Sequence, residues 1–186
     1  MKIAYIIFDG ITWLDLIGIY DALSRLKSGK YLDDFNWDVC SYHSTATDVY
    51  GLQMNAGVVR KSLSDYDAIV VPGGHGTRDL IKDEAFLNWI RTAEPVPYKI
   101  SICTGSLILG AAGYLQSKRA TTNYNEYETL RPYCSEVVKE RIVEDGKVIT
   151  AGAVSASIDL GLHLCELWAG KQAREEIQVK MNHITF

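Results

Sequence analysis

Five short apolar runs punctuate this chain, at 3–8, 37–41, 68–71, 99–102 and 148–151, each rich in β-branched residues. Continuous rather than alternating hydrophobicity predicts strands buried on both faces, as in the interior of a parallel sheet. Between the runs, amphipathic segments predict helices over 14–26, 85–93, 106–115, 125–131 and 155–169. The first shows the helical period plainly, with Leu16, Ile19, Tyr20, Leu23 and Leu26 on one face. Strands alternating with helices predict an open α/β sheet covered by helices on both faces. Two places break the rhythm. A small β excursion is expected over 50–57, and Glu144-Asp145-Gly146-Lys147 carries the Asp-Gly signature of a tight hairpin between 141–143 and 148–150. With only four prolines and no linker, repeat or low-complexity tract, one domain is expected over 1–186.

Composition narrows the class. At 186 residues and 47% hydrophobic content, the chain has material for one proper core. A net charge of −4 and scattered Lys and Arg predict neither a nucleic-acid partner nor an acidic membrane surface. The four cysteines, Cys40, Cys103, Cys134 and Cys165, have neither C-x-x-C nor zinc-ligand spacing, so a reducing, cytoplasmic setting is expected. The first apolar run is too short for a signal h-region or a membrane span, and no helix-turn-helix domain is expected in a chain that ends at Phe186. Without an H-E-x-x-H pattern, a G-x-G-x-x-G fingerprint or a Gly-Lys-Ser/Thr phosphate loop, no metal or cofactor is expected.

Open α/β sheets bind ligands beyond the carboxyl ends of their strands. Three such ends are unusual here: Asp9 to Gly18, Pro72-Gly73-Gly74-His75-Gly76-Thr77-Arg78, and Cys103-Thr104-Gly105. The stretch Ser101-Ile102-Cys103-Thr104-Gly105 has the spacing of a nucleophile elbow, where small flanking residues let the chain turn sharply from strand to helix. A thiol at a helix N-terminus faces unpaired N–H groups and the positive end of the helix dipole, both favouring thiolate. A free cysteine is often mere packing, but the strand–Cys–Thr-Gly–helix context favours a reactive one.

The other candidates carry two readings each. Asp15 is either a solvated first-turn carboxylate or, among Trp13, Leu14, Leu16 and Ile17, a buried acid with a raised pKa that serves the thiol. His75 is either a pocket residue or an exposed loop histidine. His163 fits packing or a helix hydrogen bond, and His43 and His183 have no partner at readable spacing. Cys40, Cys134 and Cys165 read as packing residues. Trp13, Tyr20 and Tyr124 are candidates to line a small apolar pocket.

Together, Val71-Pro72-Gly73-Gly74, Ile102-Cys103-Thr104-Gly105, Leu14-Asp15, Arg119-Ala120-Thr121-Thr122 and Val154 to Asp159 resemble the ThiJ/PfpI superfamily over nearly the whole chain. The resemblance implies a class I glutamine-amidotransferase-like fold, a flavodoxin-like three-layer sandwich. The isonitrile hydratase branch is the most similar, alongside amidase-like domains of some AraC-type regulators. It further implies Cys103 as nucleophile, Asp15 as the acid beside it, Thr104 as the residue following it, and oxyanion-type donors from the backbone N–H groups of Gly74 and Thr104. His75, Asn123, Trp13 and Tyr124 would face substrate.

Three positions depart from the pattern. Asn123 stands where many relatives have histidine, Ser157 replaces a glycine, and 177–186 lacks the acidic, proline-rich ending of the hydratases. Asparagine cannot move a proton at neutral pH, so a Cys-His peptidase is not expected. The implied activity is a lyase acting on a small-molecule substrate, hydrating an isonitrile to an N-substituted formamide, in a homodimer. A redox-sensing or ligand-binding module, or a glyoxalase- or amidase-like enzyme, remains open on the same cysteine.

Overall fold

All five predicted strands form, within a residue of their expected ends. The computed structural model describes residues 1–183. Its first half runs β1 (Lys2–Ile7), α1 (Trp13–Ser28), β2 (Asn36–Ser41), β3 (Thr45–Thr47), β4 (Gln53–Asn55), β5 (Val58–Val59) and β6 (Ala68–Val71). Then come α2 (Thr77–Leu80), α3 (Glu84–Arg91), β7 (Tyr98–Ile102), α4 (Gly105–Ala111), β8 (Arg119–Ala120) and α5 (Tyr127–Leu130). The chain closes with β9 (Glu136–Val137), β10 (Ile142–Asp145), β11 (Val148–Ala151) and α6 (Ser157–Lys180). The main sheet has the order β10-β11-β7-β6-β1-β2-β5. Every pairing in it is parallel except the β10–β11 hairpin at one edge. This is the expected flavodoxin-like α/β architecture.

The central strands β1 and β6 are buried along almost their full length, which is why their sequences read as unbroken apolar runs. Helices α1 and α6 pack closely against each other. Their contact depends on Gly18 and Gly161: a Cβ at Gly161 would lie 2.7 Å from the Ala22 side chain. Helix α4 packs on β6 and β7 and contacts α2 and α5. The Asp83 side chain caps α3, accepting from the Ala85 and Phe86 N–H groups, and so fixes where the amphipathic stretch begins.

Three expectations need correction. The segment 125–131 is three short turns rather than one helix: 3₁₀ at Tyr124–Glu126, then α5, then 3₁₀ at Arg131–Tyr133 around Pro132. Only Leu130 of that stretch is buried, so nothing rewards a continuous helix. The C-terminal helix outruns 169, because Gly170 (φ 86°) redirects the chain and burial resumes at Ala173 and Ile177. In the hairpin, Asp145 pairs with Val148, so the two turn residues are Gly146 and Lys147, with Gly146 at φ 65°. Glycine at the first turn position is the type II′ pattern, not an Asp-Gly turn. The β excursion over 50–57 is real, as β4 paired with β3, and β5 follows it to the sheet edge. Residues 184–186 of the divergent C-terminal stretch lie outside the described residues. Among the described residues no helix is long and apolar enough to cross a membrane.

Candidate active site

The strand order places β1 between β2 and β6, so the chain departs from β1 toward one edge and later returns on its other side. At such a switch point neighbouring loops diverge and leave a crevice. The loops after β1 and β6 are stitched together there. Ile11 and Gly74 form an antiparallel bridge, and the Thr12 N–H donates to the Gly73 carbonyl at 2.9 Å. Gly74 has φ 142°, and a Cβ on it would lie 2.2 Å from the Gly10 carbonyl, so only glycine fits. The elbow after β7 closes the third side.

Cys103 has φ 55°, a left-handed conformation that costs a non-glycine residue about 1–3 kcal/mol unless its surroundings over-determine it. They do. Its N–H donates to the Ala151 carbonyl at 3.0 Å, while its carbonyl accepts from the Thr122 hydroxyl at 2.9 Å and the Ser106 hydroxyl at 3.2 Å. In sequence Thr122 is marked only as part of the Arg119–Thr122 motif, with no role given, and Ser106 is signalled only by its place after the Cys-Thr-Gly motif. Gly73 is marked in the Pro-Gly-Gly motif but given no role of its own. A Cβ there would meet the Thr104 nitrogen at 2.6 Å and the Cys103 Cβ at 2.8 Å, so the loop presses directly on the elbow.

Asp15, in the first turn of α1, is fully buried. The Gly73 N–H donates to its Oδ2 at 2.9 Å, whereas Oδ1 finds no hydrogen-bond partner among the described residues. Burial dominates and raises its pKa to about 7; the Gly73 N–H and the nearby Cys103 thiol pull the other way and lose. The buried-acid reading of Asp15 therefore holds over the solvated one. The Asn123 side chain completes the set. Its Oδ1 accepts from the Asn125 N–H at 3.0 Å, which turns its Nδ2 toward Cys103 Sγ at 3.6 Å. The cap thus decides which end of the amide faces sulfur.

Two site expectations fail. Burial and then the Asp15 charge push the Cys103 thiol up to about 11, against stabilising contacts from the Thr104 backbone, Asn123 and the Thr104 side chain. A helix N-terminus does not make a thiol acidic when the cysteine is buried beside a carboxyl group; Cys103 is only 9% exposed. Second, Gly74 is not a free oxyanion donor, because its N–H is spent on Thr104 Oγ1 at 3.0 Å. The Thr104 backbone faces the sulfur itself.

The remaining candidates scatter. His75 is exposed, and no hydrogen bond of its ring is found among the described residues. Trp13 is buried, with its indole N–H donating to the Leu52 carbonyl at 3.0 Å. Tyr124 is 67% exposed. Tyr20 lines a different, apolar groove of about 230 Å³ with Tyr5, Ile17, Trp37 and Met54. His163 is not packed away but bonds Glu144 at 2.9 Å, and His183 does find a partner, Asp159 at 2.8 Å. Cys40 and Cys165 are buried, Cys134 is half-buried, and all four thiols are free. Among the described residues no group of three or more His, Cys, Asp or Glu is placed to hold a metal ion.

The model of the DJ-1/PfpI family matches residues 1–167, nine-tenths of the chain and every element of this site. The chain belongs to the DJ-1/PfpI family. Within that family it is 35% identical to an isonitrile hydratase of Pseudomonas putida, over 98% of this chain and 78% of the hydratase. It is 26% identical to DJ-1 homolog A of Arabidopsis thaliana over 69% of this chain, and spans only 34% of that protein. Among solved structures, a ThiJ/PfpI family protein from Pseudomonas syringae superposes with a TM-score of 0.90 at 25% identity, covering 100% of this chain and 76% of that one. The DJ-1/PfpI membership confirms the family and fold expected from the Pro-Gly-Gly and Cys-Thr-Gly motifs.

Proposed function

We propose that the chain is a cysteine-dependent lyase that hydrates isonitriles to N-substituted formamides. One observation carries the reading: a buried carboxyl with a raised pKa, one oxygen of which has no hydrogen-bond partner among the described residues, lies beside an elbow cysteine. With Asp15 raised to about 7 and Cys103 to about 11, the pair at neutral pH divides between acid with thiol and carboxylate with thiol. The attacking thiolate forms when the carboxylate takes the thiol proton. Thiolate attack on the terminal isonitrile carbon forms the C–S bond while Asp15 delivers the former thiol proton to that carbon, giving a thioimidate. Asp15, now a carboxylate, takes a proton from water as its oxygen attacks the same carbon. The C–S bond then breaks. The two water protons end on nitrogen and sulfur, so isonitrile plus water yields formamide and the restored thiol. Thr104 and Asn123 hold the sulfur in place, and no histidine is needed because no amine leaves.

The identity to the Pseudomonas putida hydratase supports this substrate class. Cys103→Ala is expected to abolish formamide production from cyclohexyl isonitrile with the thermal transition retained; full activity in that variant sinks the mechanism.

The four free cysteines support a cytoplasmic setting. The exposed apolar side chains Leu14, Ile17, Tyr50 and Leu52, on α1 and on the β3–β4 connection, support pairing with a second copy of this chain. Light scattering on the purified protein tests that: a monomer at tens of micromolar would refute it.

A further inference from the structure

Asn123 donates to the thiol from a turn that has little to hold it down. No residue of the 3₁₀ segment Tyr124–Glu126 is buried, and Tyr124 is largely in solvent. What fixes the turn is electrostatic. The Glu126 N–H donates to the Asn123 carbonyl at 2.8 Å, so the two residues move as one unit. Arg78 Nη2 donates to Glu126 Oε1 at 2.5 Å, while Arg78 Nη1 donates to the Gly74 carbonyl at 3.1 Å. Gly74 in turn donates to Thr104 Oγ1, at the elbow.

We propose that Arg78 and Glu126 are positioning residues, a strap across the site that holds the Asn123 amide on Cys103. The guanidinium is suited to this because its planar fork reaches a carboxylate and a carbonyl at once, which an ammonium cannot do in fixed geometry. An exposed ion pair contributes little, but the Glu126 side chain is only 16% exposed and the second arm lands on the buried Gly74. Arg78 closes the Pro72 to Arg78 loop, Glu126 lies in none of the motifs, and the two are 48 positions apart. The proposal rests on the reading of Cys103 as a reactive thiol.

The test is the pH profile of Cys103 alkylation by iodoacetamide, followed by peptide mass spectrometry, in wild type, R78A, E126Q, N123A and R78A/N123A. Losing one hydrogen bond to sulfur slows alkylation near neutral pH about five-fold. R78A is expected to do this and to move the profile upward, as N123A does; E126Q should follow R78A to a lesser degree. In the N123A background, R78A should add nothing. A reactive Cys103 whose profile is unchanged in R78A, or effects that multiply in the double variant, overturns the strap. A wild-type Cys103 inert to iodoacetamide overturns the reactive-thiol reading beneath it.

Discussion

Asp15→Asn should make this protein inactive and, above neutral pH, more stable. The side chain is fully buried and its pKa is raised to about 7. Because the unfolded value is near 3.9, the folded state holds more protons between about pH 4 and pH 7, and stability falls as pH rises through that window. At about 1.4 kcal/mol per tenfold change in proton affinity, the ionised carboxylate costs the fold about 4 kcal/mol, of which about 2.5 kcal/mol is lost between about pH 5 and pH 8. Asparagine keeps an oxygen for the Gly73 N–H and carries no charge to desolvate. The assay is urea denaturation of both proteins at several pH values. The wild-type curve should fall relative to the variant, which should hold its stability; at about 2–4 °C per kcal/mol, the variant gains roughly 10 °C in Tm at the alkaline end. Loss of the proton carrier should lower turnover by about 10²–10⁴. Parallel stability profiles for the two proteins would refute the buried-acid assignment. Unchanged turnover would leave Asp15 a structural residue.

Removing the Asp15 charge should also lower the Cys103 thiol pKa, while desolvation keeps it from becoming acidic; stopped-flow alkylation of D15N against wild type reads the direction. Asn123→Ala should move the same thiol the other way, since it deletes a donor to the charged form, and should destabilise the 3₁₀ turn by about 1 kcal/mol through loss of its cap. Gly73→Ala forces a methyl to within 2.6 Å of the Thr104 nitrogen. The clash should cost about 1–3 kcal/mol by thermal denaturation and disturb the Asp15 contact, so turnover should fall more than stability alone explains.

The sheet was legible because each interior strand is apolar on both faces, and the helices because their buried positions recur with a helical period. Cys103 could be named from the elbow spacing, and Asp15, Thr104 and Asn123 from the family resemblance; the fold does bring them together. What stayed hidden was competition for donors. The Gly74 N–H looked free in sequence and is taken by a hydroxyl 30 positions away. Thiol acidity depends on burial, which a motif does not encode, and the Gly73 contact to Asp15 crosses 58 positions. The turns at 124–133 defeated the periodicity argument because a stretch with one buried residue has no period to read.

The grip on Cys103 falls on its main chain: Ala151 holds the amide, and Thr122 and Ser106 hold the carbonyl. None of these bonds touches the sulfur. Evolution can therefore exchange the side chain at the elbow, or retune the groups around it, without rebuilding the turn that presents it. A scaffold of this kind separates the inheritance of shape from the inheritance of reactivity, and lets one architecture host chemistries that share no substrate.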